Sequence, residues 1–287
     1  MNLQMQKTFS ALPSMLGNYV RVIASNKPYI APEGAPTGEA DFTAVTVQAR
    51  AAHVARYRAV CAIPESGFLP HAFPHVLAMP LHMHIFTAPG FPVKVLGLIH
   101  LRNTIRVLQP VPVDSTLRLR AYWETMRETP TGQEYDLITQ GFVKDELMWE
   151  EVSTMLARRA TPGQRPTIER AGDTDAKRTF AVAANTGRRY ARVSGDYNPI
   201  HLSARTAGWF GFKQAVAHGM WSMSRCLGEG SDRLPNGPVQ IDTQFKLPLY
   251  LPSEVIFRAA KKNDDIELSL SSARGDRLHL ALQVKAL

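Results

Sequence analysis

Two dense apolar runs, each followed by short segments in which apolar and polar residues alternate, set the grammar of this chain. The first run, His75 to Phe86, predicts a buried helix ending near Pro89-Gly90. Pro80 is expected in a first helical turn, where its missing N–H would be unpaired anyway. His82 and His84 are two apart and point to different sides of such a helix, so they are expected as core or boundary histidines rather than metal ligands. The alternation then runs through Val93 to Leu101, Asn103 to Leu108, Thr116 to Glu124, Gln133 to Lys144 and Met148 to Arg158, broken by Pro- and Gly-containing turns. That period predicts an antiparallel meander. Ahead of the first helix, Thr43 to Tyr57 reads as a strand running into a helix, and the rest of residues 1–60 carries no assignable role.

The second half repeats this grammar. Lys177 to Val182 reads as a strand, and Ala215 to Leu227 as a helix with a glycine stop at Gly228 and Gly230. Four alternating segments follow, Val239 to Leu247, Ser253 to Lys261, Asp265 to Ser272 and Leu278 to Ala286. Gln109 to Ala121 can be laid on Leu247 to Ala259 with Pro, Ser, Arg and Ala matched, and the preceding helices align with Pro80 opposite Gly219. An internal duplication is the economical explanation. The Pro- and Gly-containing stretch between the halves predicts a linker over residues 161–176, dividing an N-terminal unit, 1–160, from a C-terminal unit, 177–287.

Composition narrows the class. With 287 residues, 45% hydrophobic and 20% charged, the chain is long enough to bury a sizeable core and too apolar to be disordered. No run approaches the ~20 apolar residues of a membrane helix, and no signal peptide is expected. Two cysteines, Cys61 and Cys226, far apart, suggest neither a disulfide framework nor a zinc knuckle, which fits a cytoplasmic protein. The net charge of +8 attracts anions. Its lysines and arginines are scattered rather than gathered in one arm, which disfavours nucleic acid and leaves a phosphate-bearing carrier, an acidic carrier protein or a merely soluble basic surface.

The candidate chemistry lies between the linker and the second helix. In Tyr190 to His201, Asp196 and His201 flank Asn198-Pro199, and Gly195 with Pro199 prevents the whole stretch from being regular helix or strand. A carboxylate and an imidazole converging on one water can act as a general acid–base pair. The alternative, in which Asp196 caps a helix and His201 packs beneath it, must also account for Gly195, Asn198 and Pro199. Gly219 heads the second helix, where a backbone N–H at the positive end of the dipole can meet an oxyanion without an obstructing Cβ. His218 beside it reads as a packing or hydrogen-bonding residue. The corresponding stretch of the first half, Ala62 to Pro74, has no such arrangement, so one site per chain is expected. No G-x-S-x-G elbow, H-E-x-x-H or G-x-G-x-x-G occurs, so no nucleophilic serine, metal or dinucleotide is called for. Trp209, Phe210 and Phe212 are expected in the core.

Taken together, Tyr190 to His201, Ala217-His218-Gly219-Met220 and Phe245-Lys246-Leu247-Pro248 resemble the MaoC-like hydratase and dehydratase family, which includes the (R)-specific enoyl-CoA hydratases. The ordered match covers about Lys177 to Ala260, and the first half resembles the family only in layout. The resemblance implies an α+β double hot-dog fold, two antiparallel sheets each wrapped around a central helix, with a degenerate N-terminal unit. It implies a hydro-lyase that reversibly adds water across trans-2-enoyl thioesters to give (3R)-3-hydroxyacyl thioesters. Asp196 and His201 match the water-activating pair, Gly219 the oxyanion donor and Asn198 a loop buttress. Phe245 matches a position on the acyl or pantetheine path, and Ser224 a helix serine near the pair. No cofactor is implied beyond the coenzyme A or acyl carrier protein that carries the substrate, and the layout allows a homodimer of double hot-dog chains. The competing reading keeps the fold but makes the chain a hot-dog thioesterase or a non-catalytic acyl-thioester binding protein; thioesterases of this fold usually lack the Gly-Asp-x-Asn-Pro-x-His segment.

Overall fold

A computed structural model of the chain describes residues 7–35, 43–159 and 174–287. In chain order the elements are β1 (Lys7–Phe9), α1 (Met15–Ala24), β2 (Thr43–Gln48), α2 (Ala51–Cys61), α3 (Phe73–Thr87), β3 (Leu98–Val107), β4 (Thr116–Thr129), β5 (Gly132–Val143), β6 (Glu146–Arg158), β7 (Ala176–Val182), α4 (Thr186–Ser194), α5 (Ala204–Gly208), α6 (Gly219–Glu229), β8 (Val239–Phe245), β9 (Ser253–Lys262), β10 (Asp265–Ser272) and β11 (Leu278–Ala286). A 3₁₀ turn, Pro199–His201, lies between α4 and α5. The linker expected over residues 161–176 falls outside the described residues except for its last three.

The strands join into one sheet in the order β1-β2-β4-β5-β6-β3-β8-β11-β10-β9-β7, antiparallel except for the β1–β2 pair. Outward from the β3–β8 seam, the order on one side is β6, β5, β4, β2 and on the other β11, β10, β9, β7. That repeated order is the spatial form of the duplicated grammar, and it makes the fold a double hot dog in which the two sheets meet edge to edge. Ile105 opposes Ile241 at the seam, both fully buried. Beside them, Thr104 donates to the Asp242 carboxylate at 2.9 Å.

Helix α3 packs against β2, β4 and β5, and α6 against β10 and β11. The apolar run of α3 buries Phe73, Val76, Leu77, Leu81, Ile85 and Phe86. A helix that is apolar on nearly all sides is what a wrapping sheet requires. At α6 the buried residues include Trp221, Met223, Cys226 and Leu227.

Several expectations shift. Pro80 is inside α3 rather than in its first turn, because Phe73 and Pro74 open the helix earlier and Pro74 takes the first-turn position. Of the segments expected as two strands, Val93 to Leu101 and Asn103 to Leu108, residues 93–97 are turn and the rest joins into the single strand β3, Leu98–Val107. A bulge between His100 and Arg102 moves its alternation by one residue, which reads in sequence as a break. The apolar residues ahead of α6 are extended, with Val216 bridged to Tyr250 and the Ala217 N–H donating to Leu249 O at 2.8 Å. Trp209, expected in the core, is 70% exposed, and Phe210 and Phe212 are half-buried. These three follow the five-residue helix α5, most of whose own residues are also exposed or half-buried. His82 is buried with its Nε2 on Thr139 Oγ1 at 2.8 Å, whereas His84 sits at the boundary, edge-on to Phe9.

Candidate active site

The site is built where α4 stops. Gly195 ends that helix at φ +76°, the left-handed conformation that favours glycine, and its N–H returns to Ala191 O. The reversal aims Asp196 back across the helix end. Asn198 then opens the 3₁₀ turn, its side-chain oxygen accepting from the Ile200 N–H at 3.4 Å, while its own N–H donates to Asp196 Oδ1 at 3.1 Å. Asn198 therefore ties the carboxylate to the start of the turn that presents His201. The turn packs closely on α4 because residue 187 is glycine: a Cβ there would lie 2.0 Å from His201 O.

The turn and the strand leading to α6 are joined reciprocally. The Val216 N–H donates to Ile200 O at 3.0 Å, and His201 Nδ1 donates to Val216 O at 2.7 Å. That second bond places the His201 proton on Nδ1 and leaves Nε2 with a free lone pair. His218, the residue before α6, stacks on His201 with ring centroids 3.7 Å apart. Its Nε2 donates to Asp196 O at 3.0 Å and stands 3.7 Å from Asp196 Oδ2. His218 Nδ1 is buried with no partner among the described residues. His218 is thus the hydrogen-bonding residue that its sequence position suggested, and its partner is Asp196 itself.

Electrostatics separate the roles. Burial pushes the Asp196 carboxyl up, but His218, His201 and the Asn198 N–H outweigh it and hold the group below its ordinary value. Its side chain is 27% exposed, whereas that of His218 is buried. Burial lowers His201, with Asp196 and the Val216 carbonyl opposing the shift. Burial and the adjacent His201 lower His218 to about 3, keeping it neutral.

Gly219 is the first residue of α6, so no carbonyl within the helix serves its N–H. Phe245, at the end of β8, lies against it: a Cβ at position 219 would stand 3.0 Å from two atoms of that ring. The other face of the site comes from the N-terminal half. The His100 ring is 4.6 Å from Phe245, and its Nε2 is buried with no partner among the described residues. Burial pushes this histidine down to about 4.

The same architecture recurs in known proteins. The signature of the MaoC like domain matches residues 164–271. Over 284 residues, 96% of this chain and 99% of that protein, the sequence is 28% identical to 3-hydroxyacyl-thioester dehydratase X of Mycobacterium tuberculosis. The crystal structure of HtdX from Mycobacterium tuberculosis superimposes with a TM-score of 0.73 at 30% identity, covering 85% of this chain and 100% of that chain. The chain belongs to the MaoC-like family.

Within that family the fold is shared more widely than the sequence. A MaoC-like dehydratase from Phytophthora capsici matches with a TM-score of 0.68 at 14% identity, over 88% of this chain and 96% of its own. Among the residues that the MaoC-like resemblance singled out, Asp196, Asn198, His201, Gly219 and Phe245 converge. Ser224 does not join them. It is buried further along α6, with Oγ 2.6 Å from Tyr57 Oη and donating to Met220 O at 2.8 Å. No described contact links it to Asp196 or His201.

Two groups bring three possible metal-ligating atoms within 4.8 Å of one another among the described residues: Asp196, His201 and His218, and His75, His82 and Glu151. In the first, His201 Nδ1 and His218 Nε2 are spent on backbone carbonyls. In the second, His75 Nδ1 is 2.8 and 2.9 Å from the two oxygens of Glu151, and Asn103 donates to the same carboxylate at 2.6 Å. These contacts satisfy a buried carboxylate, and His75 with Asn103 overcomes its burial to hold Glu151 at about 2. No described helix is long and apolar enough to cross a membrane.

Proposed function

We propose that this chain is a hydro-lyase that reversibly hydrates trans-2-enoyl thioesters to (3R)-3-hydroxyacyl thioesters, with Asp196 and His201 activating the water. The observation that carries the reading is the free His201 Nε2, left by the Nδ1 bond to Val216 O, on a turn tied to Asp196 through the Asn198 N–H and stacked on His218, the residue before α6. The thioester oxygen accepts from the Gly219 N–H, which withdraws electrons from C3. The water oxygen bonds to C3 as its proton passes to the Asp196/His201 pair, and the negative charge develops on the thioester oxygen. The pair then returns a proton to C2. Delivery of both hydroxyl and hydrogen from one side of the substrate gives syn addition, and dehydration is the same path reversed. Phe245, packed on Gly219, bounds the thioester end of the acyl path. His218 stays neutral and orients Asp196.

The substrate is carried on coenzyme A or acyl carrier protein, for which the net charge of +8 provides a favourable field. The test is hydration of crotonyl-CoA and longer enoyl-CoA esters, followed by loss of enoyl-thioester absorbance, with free thiol measured in parallel. Asp196→Asn and His201→Ala are each expected to lower kcat by about 10²–10⁴-fold with no free thiol released. Full activity in both variants, or thiol release at the rate of substrate loss, would overturn the proposal.

A further inference from the structure

The two peptide units that flank Asp196 make four hydrogen bonds, two of them to a residue far outside its own unit. Its N–H donates to Ser194 Oγ at 3.2 Å, and its carbonyl accepts from His218 Nε2 at 3.0 Å. The other two share one atom, the hydroxyl of Tyr19 on α1. Tyr19 Oη donates to Gly195 O at 3.4 Å and accepts from the Tyr197 N–H at 2.5 Å. Gly195 O belongs to the peptide just before Asp196 and Tyr197 N to the peptide just after it, so one hydroxyl bridges both peptide planes that set the Asp196 backbone angles.

The helix that carries Tyr19 is itself anchored. Ser14 caps it, accepting from the Gly17 N–H at 3.2 Å, and Asn18 Nδ2 donates to Pro80 O at 3.1 Å, joining it to α3. On the same side, Met15 approaches Gly195. The opposite side is solvent-facing, with Leu16 77% and Ile23 80% exposed.

We infer that Tyr19 is a positioning residue for the reaction, fixing the direction of the Asp196 carboxylate through its two backbone bonds. The inference rests on the reading of Asp196 as a reacting group. A carboxylate displaced by a fraction of an ångström still binds substrate but meets the water in the wrong direction, so the effect belongs in kcat rather than in KM. Removing the hydroxyl leaves the Tyr197 N–H and the Gly195 carbonyl to find other partners while the ring still packs.

The experiment uses the full chain carrying Tyr19→Phe, beside Asn18→Ala, which frees the same helix from α3, and Leu16→Ser on its exposed side. Steady-state hydration of an enoyl-CoA is measured below the melting temperature of every variant, and exchange of the Tyr197 amide is followed by NMR. Tyr19→Phe is expected to lower kcat about tenfold, the size of one or two lost hydrogen bonds, with KM within about twofold. The Tyr197 amide should lose protection, and Leu16→Ser should behave as wild type. Asn18→Ala, which loosens the helix that carries Tyr19, should lower kcat in the same direction; a kcat for Tyr19→Phe within twofold of wild type overturns the inference, as does a loss of the same size in Leu16→Ser. An inactive wild type would refute the hydro-lyase reading instead; the amide exchange would still report whether Tyr19 holds the loop.

Discussion

His201 and His218 stack 3.7 Å apart at an interplanar angle of 26°, yet each gives its N–H to a different backbone carbonyl, Val216 O and Asp196 O. Two neutral imidazoles in contact are compatible with burial, whereas two imidazolium ions would repel. The arrangement leaves His201 Nε2 as the exchangeable position and makes His218 its fixed neighbour.

The pH dependence follows from this pair. His201 lies below its ordinary 6.5, and Asp196 below its ordinary 3.8, so the base form of the site persists as the pH falls past the usual histidine range. The acidic limb of kcat/KM for hydration is expected below pH 6.5. A limb at or above that value would show that His201 is not the free base.

Phe245 and Gly219 make the oxyanion corner sensitive to one methyl group. In Gly219→Ala the new Cβ would meet the Phe245 ring at 3.0 Å, and the ring must yield. Hydration kcat/KM should fall roughly ten- to a hundredfold through misplacement. Adding Phe245→Leu to that variant should restore much of the loss, and kinetic analysis of the pair as a double-mutant cycle would check it.

Ser224 is expected to separate stability from chemistry. Ser224→Ala removes the 2.6 Å partner of the Tyr57 hydroxyl in a fully buried setting. A buried polar group left unserved costs about 1–3 kcal/mol, visible in urea denaturation. Because Ser224 has no described contact with Asp196 or His201, kcat should stay within about threefold of wild type. A larger loss of kcat would place the serine in the reaction after all.

Acid should unfold the protein early. Burial holds His82 and His218 at about 3 and His100 at about 4, against 6.5 in an open chain. Between pH 6.5 and about 4 the unfolded chain therefore binds protons that the native state refuses. Stability is full above 6.5 and falls as the pH drops, with a limiting slope of about 1.4 kcal/mol per pH unit for each such histidine. Glu151, held at about 2 against 4.5, adds a further loss in the same direction below pH 4.5. Thermal unfolding at pH 7.5, 6 and 5 measures this; a melting temperature constant over that range would refute it.

Much of the fold was legible because its signals are local. The apolar run of α3, the alternation of β4 to β6 and β8 to β11, and the matched turns of the two halves all lie in contiguous sequence. The candidate site was legible for the same reason: Asp196, Asn198 and His201 lie within six positions, and Gly219 marks a helix start. What escaped is long-range. Tyr19 meets Gly195 across 176 positions, and neither composition nor period distinguishes it from any surface tyrosine. His100 sits at a bulge, where the alternation that locates a strand also misreports its phase. Ser224 shows the opposite failure, since alignment with a family position placed it near the pair while its hydroxyl is spent on Tyr57.

The seam between β3 and β8 has a consequence for the handling of the chain. Separating the C-terminal half from the N-terminal one would strip β3 from β8 and leave a row of unpaired amides and carbonyls between Val239 and Gln244. Such a fragment would seek another copy of itself before it sought a substrate. With both halves in one chain that partner is covalent, so the half that carries the reactive turn meets its edge strand, and the Tyr19 hydroxyl, within the same molecule.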